Sequence, residues 1–64
     1  MATTQIIVDY AEPLIRLEKL LKEIHENCLD GKYAEAKTLC TNAIAEARVL
    51  QATLTIMDEK NAGR

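Results

Sequence analysis

One break near the middle of the chain, Asp30-Gly31, separates two stretches that carry the same helical pattern. Apolar residues recur every three or four positions over residues 7–28, and again over residues 33–57. This spacing is typical of one face of an α-helix. A connection this short makes the two helices run antiparallel. The sequence therefore predicts an all-α fold, an antiparallel two-helix hairpin.

The boundaries follow from where the pattern starts and stops. Gly31 suits the left-handed residue that closes a helix, so the first helix should end just before it. The second helix should end before the Asn-Ala-Gly-Arg tail. We predict one helical-hairpin domain over residues 1–64, with a helix over about 4–28, a turn at 29–31, a helix over about 32–59 and a flexible tail at 60–64.

Pro13 lies inside the first pattern and leaves two interpretations open. A proline removes one backbone hydrogen bond and tends to kink or stop a helix. The heptad phase is unchanged on either side of it, which favours one helix bent near Pro13. The alternative is a helix that starts near Asp9, because Asp9 and Glu12 have the spacing of a capping box.

Folding the chain at the break brings large residues of the first helix against small residues of the second. Interdigitated packing requires this arrangement. The predicted contacts are Leu21 with Cys40, Leu17 with Ala43 or Ile44, and Leu14 with Ala47.

Apolar residues outside this seam predict self-association. The uncharged stretches Met1–Val8 and Val49–Met57 should meet at the open end of the hairpin. Two helices cannot enclose a core, and an exposed apolar surface marks an association site. We therefore predict a homo-oligomer, most simply a dimer that forms a four-helix bundle, with an interface that includes Ile6, Val8, Val49, Leu50, Leu54 and Ile56.

The residue types needed for catalysis are nearly absent. The chain has no serine, and His25 is its single histidine, with no cluster of metal ligands around it. Cys28 and Cys40 are predicted to be small buried residues, too far apart for a disulfide. We predict that the protein is not an enzyme and has no metal site and no cofactor.

Charge and hydropathy limit the partners. The net charge of −2, with acidic and basic residues mixed, gives no electrostatic footprint for a nucleic-acid polymer. No apolar run is long enough for a membrane span, and the start lacks the pattern of a signal peptide. With only two cysteines, the chain is predicted to be cytoplasmic.

One polar cluster near the open end is a candidate binding site. Arginine is the preferred donor to phosphate and carboxylate oxygens, and tyrosine can stack on a base. The candidate ligand residues, for a small anion or nucleotide held between subunits, are Tyr10, Arg16, Arg48, Gln51 and Thr55. The alternative is that the arginines form ion pairs within the hairpin, Arg16 with Glu46 and Arg48 with Glu12.

The run Gly31, Tyr33, Ala36, Cys40 and Ala43 resembles the second helix of a tetratricopeptide repeat. The rest of that repeat's pattern does not follow, and such arrays need several copies to bury a core. We interpret the stretch as the bend of a helical hairpin.

In size and helical style, the chain resembles small helical-hairpin accessory proteins of bacteriophages, including sponges that sequester nucleotide immune signals of the host. The resemblance implies a non-enzymatic oligomer that inhibits host defence by binding such a nucleotide. The alternative hypothesis is a helical adaptor or structural dimer that binds a protein partner, such as a host protein.

Overall fold

The computed structural model describes the backbone of residues 9–62 and the side chains of residues 9–61. Helix α1 spans Ala11–Leu29 and helix α2 spans Tyr33–Ala62. The two helices pack against each other, and α2 extends beyond the start of α1. The predicted all-α hairpin is therefore confirmed. No helix in the described part of the chain is long and apolar enough to cross a membrane.

The turn is built around Gly31, which has a φ of 73°. Its N–H donates to the carbonyl of Cys28 at 3.1 Å, and the N–H of Lys32 donates to the carbonyl of Asn27 at 2.8 Å. This pair of bonds is the Schellman motif, which satisfies carbonyls that the end of a helix leaves without partners. The predicted role of Gly31 is confirmed. The turn spans residues 30–32, one residue later than the predicted 29–31, because Leu29 still belongs to the last turn of α1.

Helix α1 begins at Ala11, whose N–H donates to Asp9 Oδ1 at 3.0 Å. Pro13 lies in the first turn, where the N–H that it lacks has no partner within the helix. The predicted continuous helix from about residue 4, bent near Pro13, is wrong because the chain is not helical at Asp9 and Tyr10. The alternative start near Asp9 agrees with the structure, but the capping box with Glu12 does not form, because Tyr10 is the N-cap residue and makes no side-chain cap. Residues 4–8 lie outside the described residues.

Helix α2 ends at Ala62 rather than near residue 59. The residues after Met57 include no glycine or proline before Gly63, and Lys60 suits the last turn of a helix. Residues 60–62 are therefore helical rather than part of a tail, and 63–64 lie outside the described residues.

The helices meet at two alanines. Ala36 is 5% exposed and Ala43 is 8% exposed, and they are the buried residues of α2 among those described. Pro13 of α1 is also buried. The helix seam consists of the two alanines and the half-buried residues on the facing sides of the helices. On α1 these are Leu14, Leu17, Leu20, Ile24 and Cys28, and on α2 they are Leu39, Glu46 and Leu50. Thr53 and Met57 are also half-buried but lie beyond the start of α1.

The predicted seam is only partly correct. Of the α2 residues that were predicted to contact α1, Ala43 is buried, but Cys40 and Ala47 are exposed. Leu21, predicted opposite Cys40, is 53% exposed, and Leu20 takes its place in the seam. The side of α2 that faces α1 is therefore rotated about the helix axis by about 50° from the predicted side. The sequence could not fix this rotation because α2 carries apolar residues on more than one side.

The principal extents of the chain are 49 × 28 × 13 Å. The smallest extent corresponds to a single layer of helices, because one helix with its side chains is about 10–12 Å wide. Independent domains are normally built from two or more layers that cover each other's apolar sides. The hairpin therefore has two broad faces, and each can meet solvent or another molecule.

Ala43→Leu should lower the free energy of unfolding by roughly 1–3 kcal/mol, because a larger side chain would overpack the helix seam. Ala52→Leu, on the exposed outer side of α2, is the matched control and should change it by less than about 0.5 kcal/mol. Denaturant unfolding followed by circular dichroism measures both. An equal effect at the two alanines would contradict the seam described above.

Candidate functional site

The two faces of the hairpin each carry a groove, and the grooves differ in chemistry. The polar groove, with a volume of about 460 Å³, includes Arg16, Lys19 and Glu23 of α1 and Asn42 and Glu46 of α2. The apolar groove has a volume of about 660 Å³, and those of its lining residues that the structure describes belong to α2. Its apolar members are Ile44, Ala47, Leu50 and Leu54, and its polar members are Arg48, Gln51, Thr55 and Asp58.

An ion pair crosses the polar groove between the two helices. Arg16 Nε donates to Glu46 Oε1 at 3.0 Å, and Arg16 Nη1 lies 3.5 Å from Glu12 Oε1. The hydrogen bond to Glu46 is the main reason why the pKa of Arg16 is raised above its usual value. The Arg16–Glu46 pair, which was the alternative to a ligand role for Arg16, is thus confirmed.

The apolar groove brings together three of the five predicted ligand residues, Arg48, Gln51 and Thr55. They lie one helical turn apart along one side of α2, at positions i, i+3 and i+7. Thr55 Oγ1 donates to the carbonyl of Gln51 at 2.9 Å, so its hydroxyl hydrogen is already used within the helix. Arg48 and the side-chain amide of Gln51 are the donors best placed to meet a ligand.

The structure does not gather the other two predicted ligand residues into this groove. Arg16 belongs to the polar groove, and Tyr10 is exposed just before the start of α1. The predicted ion pair between Arg48 and Glu12 is not formed either, because Glu12 pairs with Arg16. Within residues 9–61, Arg48 makes no ion pair.

The predicted oligomer interface is divided between different surfaces. Leu54 is exposed and lines the apolar groove, whereas Leu50 is half-buried at the edge of the helix seam. Val49 and Ile56 are exposed, and helical geometry places them on the opposite side of α2. The remaining two predicted residues, Ile6 and Val8, lie outside the described residues.

Sequence reasoning missed the α2 stripe, a row that follows one exposed side of α2. Its spacing alternates between three and four residues, as in a coiled-coil seam. The row was visible in the sequence but was partly assigned to the contact with α1. Its members are Tyr33, Lys37, Cys40, Ile44, Ala47, Gln51, Leu54 and Asp58.

The two cysteines differ in their exposure. Cys28 is half-buried and Cys40 is exposed, and both are free thiols. The prediction that both are buried is therefore wrong for Cys40, which belongs to the α2 stripe rather than to the helix seam. No group of three or more His, Cys, Asp or Glu side chains in the described part of the chain could hold a metal ion.

Comparison with protein-family models, with curated proteins and with solved structures gives no match to this chain.

Arg16→Gln should lower the melting temperature at low ionic strength, because it removes the ion pair across the polar groove. The loss should shrink in about 0.5 M salt, since exposed charges are screened over a few ångströms. Arg48→Gln is the matched control and should leave the melting temperature unchanged or raise it. A larger loss for Arg48→Gln would contradict this assignment of the two arginines.

Proposed function

We propose that the protein is a non-enzymatic binding protein that acts as a helical oligomer, with the face that carries the apolar groove as its association surface. The observation that carries this proposal is the single layer of helices, 13 Å thick. Among the described residues, only Ala36 and Ala43 form a buried apolar core. A chain this small needs another source of stability, and self-association is one.

The distribution of apolar side chains supports association along α2. Ile44 is 55% exposed, and Tyr33, Val49 and Leu54 are also among the exposed large apolar residues of this helix. A helix that is apolar on several sides is normally buried on several sides. The helix seam covers one side of α2, so the α2 stripe provides a second side for a neighbour.

Sedimentation velocity should show the wild-type protein as an oligomer at micromolar concentration, not as a monomer of 7.1 kDa. Ile44→Lys should shift it towards the monomer, because it places a charge in the α2 stripe. Ile15→Lys is the matched control, since Ile15 is 63% exposed on the outer side of α1, away from α2. A monomeric wild-type protein, or equal effects of the two variants, would overturn the proposal.

A second candidate function, binding of an anionic ligand such as a nucleotide, is favoured by the polar end of the apolar groove. Arg48 and Gln51 lie beside apolar surface, and Arg48 is not neutralised by a carboxylate of the described residues. The groove volume of about 660 Å³ is within the range of small-molecule sites. The resemblance to phage sponges suggests nucleotide immune signals of the host as the ligand class.

A panel of cyclic and ADP-ribose-type nucleotides should contain a ligand that raises the melting temperature of the wild-type protein, because a ligand bound to the folded state stabilises it. Arg48→Gln should abolish this shift while the protein stays folded. Lys19→Gln, in the polar groove, is the matched control and should keep it. Absence of any shift would reject this candidate, and specific capture of a host protein would favour the adaptor instead.

A further inference from the structure

We infer that a second copy of the chain docks antiparallel along the α2 stripe, with a two-fold axis that passes close to Ala47. The inference rests on the proposed oligomeric function and specifies its geometry. It differs from the interface expected from the sequence, because it uses one side of α2 over most of its length rather than the open end of the hairpin.

The spacing of the α2 stripe is nearly symmetric about Ala47. An antiparallel partner centred there places Leu54 opposite Cys40 and Gln51 opposite Ile44 of the other copy. Each longer side chain then meets a different, mostly smaller one, as interlocking helices require. Ala47 at the centre allows the two backbones to approach closely. The antiparallel arrangement is isologous, so each of these contacts occurs twice.

Charge complementarity selects this register. Lys37 and Asp58 are exposed near the two ends of the stripe, almost equally far from Ala47. The antiparallel pairing about Ala47 brings Lys37 of each copy next to Asp58 of the other. A parallel pairing would place each charge against its own like charge. An antiparallel pairing centred on Gln51 would instead place Asp58 against Ile44, where the carboxylate would lose water without gaining a partner.

Such an interface would cover large apolar side chains of the stripe that are exposed in the hairpin, since Ile44 is 55% exposed and Leu54 is 46% exposed. Stacking of two hairpins through this face converts two single layers into a two-layer, four-helix bundle.

A disulfide trap tests the geometry. In a Cys28→Ser background, Leu54→Cys should form a covalent dimer with native Cys40 under mild oxidation by air or copper–phenanthroline. The bond must join two chains, because residues 40 and 54 of one helix are about 21 Å apart and a disulfide spans at most about 7 Å between Cα atoms. Ile56→Cys in the same background is the matched control and should remain largely monomeric on a non-reducing gel.

Charge exchange provides a second test that does not depend on thiols. Lys37→Glu and Asp58→Lys should each weaken the dimer roughly tenfold, and the double variant should restore the wild-type dissociation constant. Lys22→Glu, on the outer side of α1, is the control and should leave dimerisation unchanged. Circular dichroism checks that each variant remains helical.

The outcomes separate this inference from the proposed function. If sedimentation shows an oligomer but neither the disulfide trap nor charge exchange behaves as expected, the stripe geometry is wrong and the oligomeric function stands. If sedimentation shows a monomer, both are wrong. Cross-linking through Ile56→Cys as strong as through Leu54→Cys would also overturn the inference, because it would indicate collisions without a preferred face.

Discussion

The close approach of the two helices at Ala36 and Ala43 is the constraint on which the other features of the hairpin depend. Small side chains bring the backbones together, but they bury little apolar area for each residue, so the larger apolar side chains remain only partly covered. Leu17 and Leu20 are half-buried, and Ile44 and Leu54 are exposed. The hairpin is therefore well defined in geometry but incomplete as a hydrophobic core, and this incompleteness is the main physical reason to expect association.

The turn and the ion pair fix how the helices are arranged around that contact. Gly31 ends α1 in a Schellman motif, and Tyr33 already begins α2, so the connection leaves little freedom in the direction of the second helix. The pair between Arg16 and Glu46 then joins the helices on one face, and no second ion pair between the helices occurs within residues 9–61. As a result, the face with the polar groove carries an ion pair between the helices, and the face with the apolar groove has an apolar surface with Arg48 at its edge. The two faces are thus suited to different surroundings, one to water and one to a partner.

Local features of the sequence predicted local features of the structure. The turn at Gly31 and the two-helix architecture follow from backbone chemistry and periodicity, and the Arg16–Glu46 pair follows from the antiparallel register. The rotation of α2 about its axis does not follow from the sequence. Cys40 and Ala47 lie on one apolar row of this helix and Ala36 and Ala43 lie on an overlapping row, and only packing against α1 determines which row is buried. The continuous first helix, which the sequence favoured over a start near Asp9, is wrong because the heptad phase includes Tyr10, where the chain is not helical. Three of the five candidate ligand residues share a groove because they lie on one side of α2. The positions of Tyr10 and Arg16 relative to that groove depend instead on how α1 packs against α2.

The short connection between the helices also has a consequence for how the chain reaches its folded form. Contacts on either side of the turn join residues that are close in sequence, so little chain entropy is lost when they form. Topologies dominated by such local contacts fold in microseconds to milliseconds, at a rate that does not depend on protein concentration. Docking of two hairpins is a bimolecular event and slows on dilution. In the dimer that we propose, each small core would be completed by the other copy, so a hairpin would form quickly by itself but would stay folded mainly after docking, and the abundance of the protein would set the folded fraction.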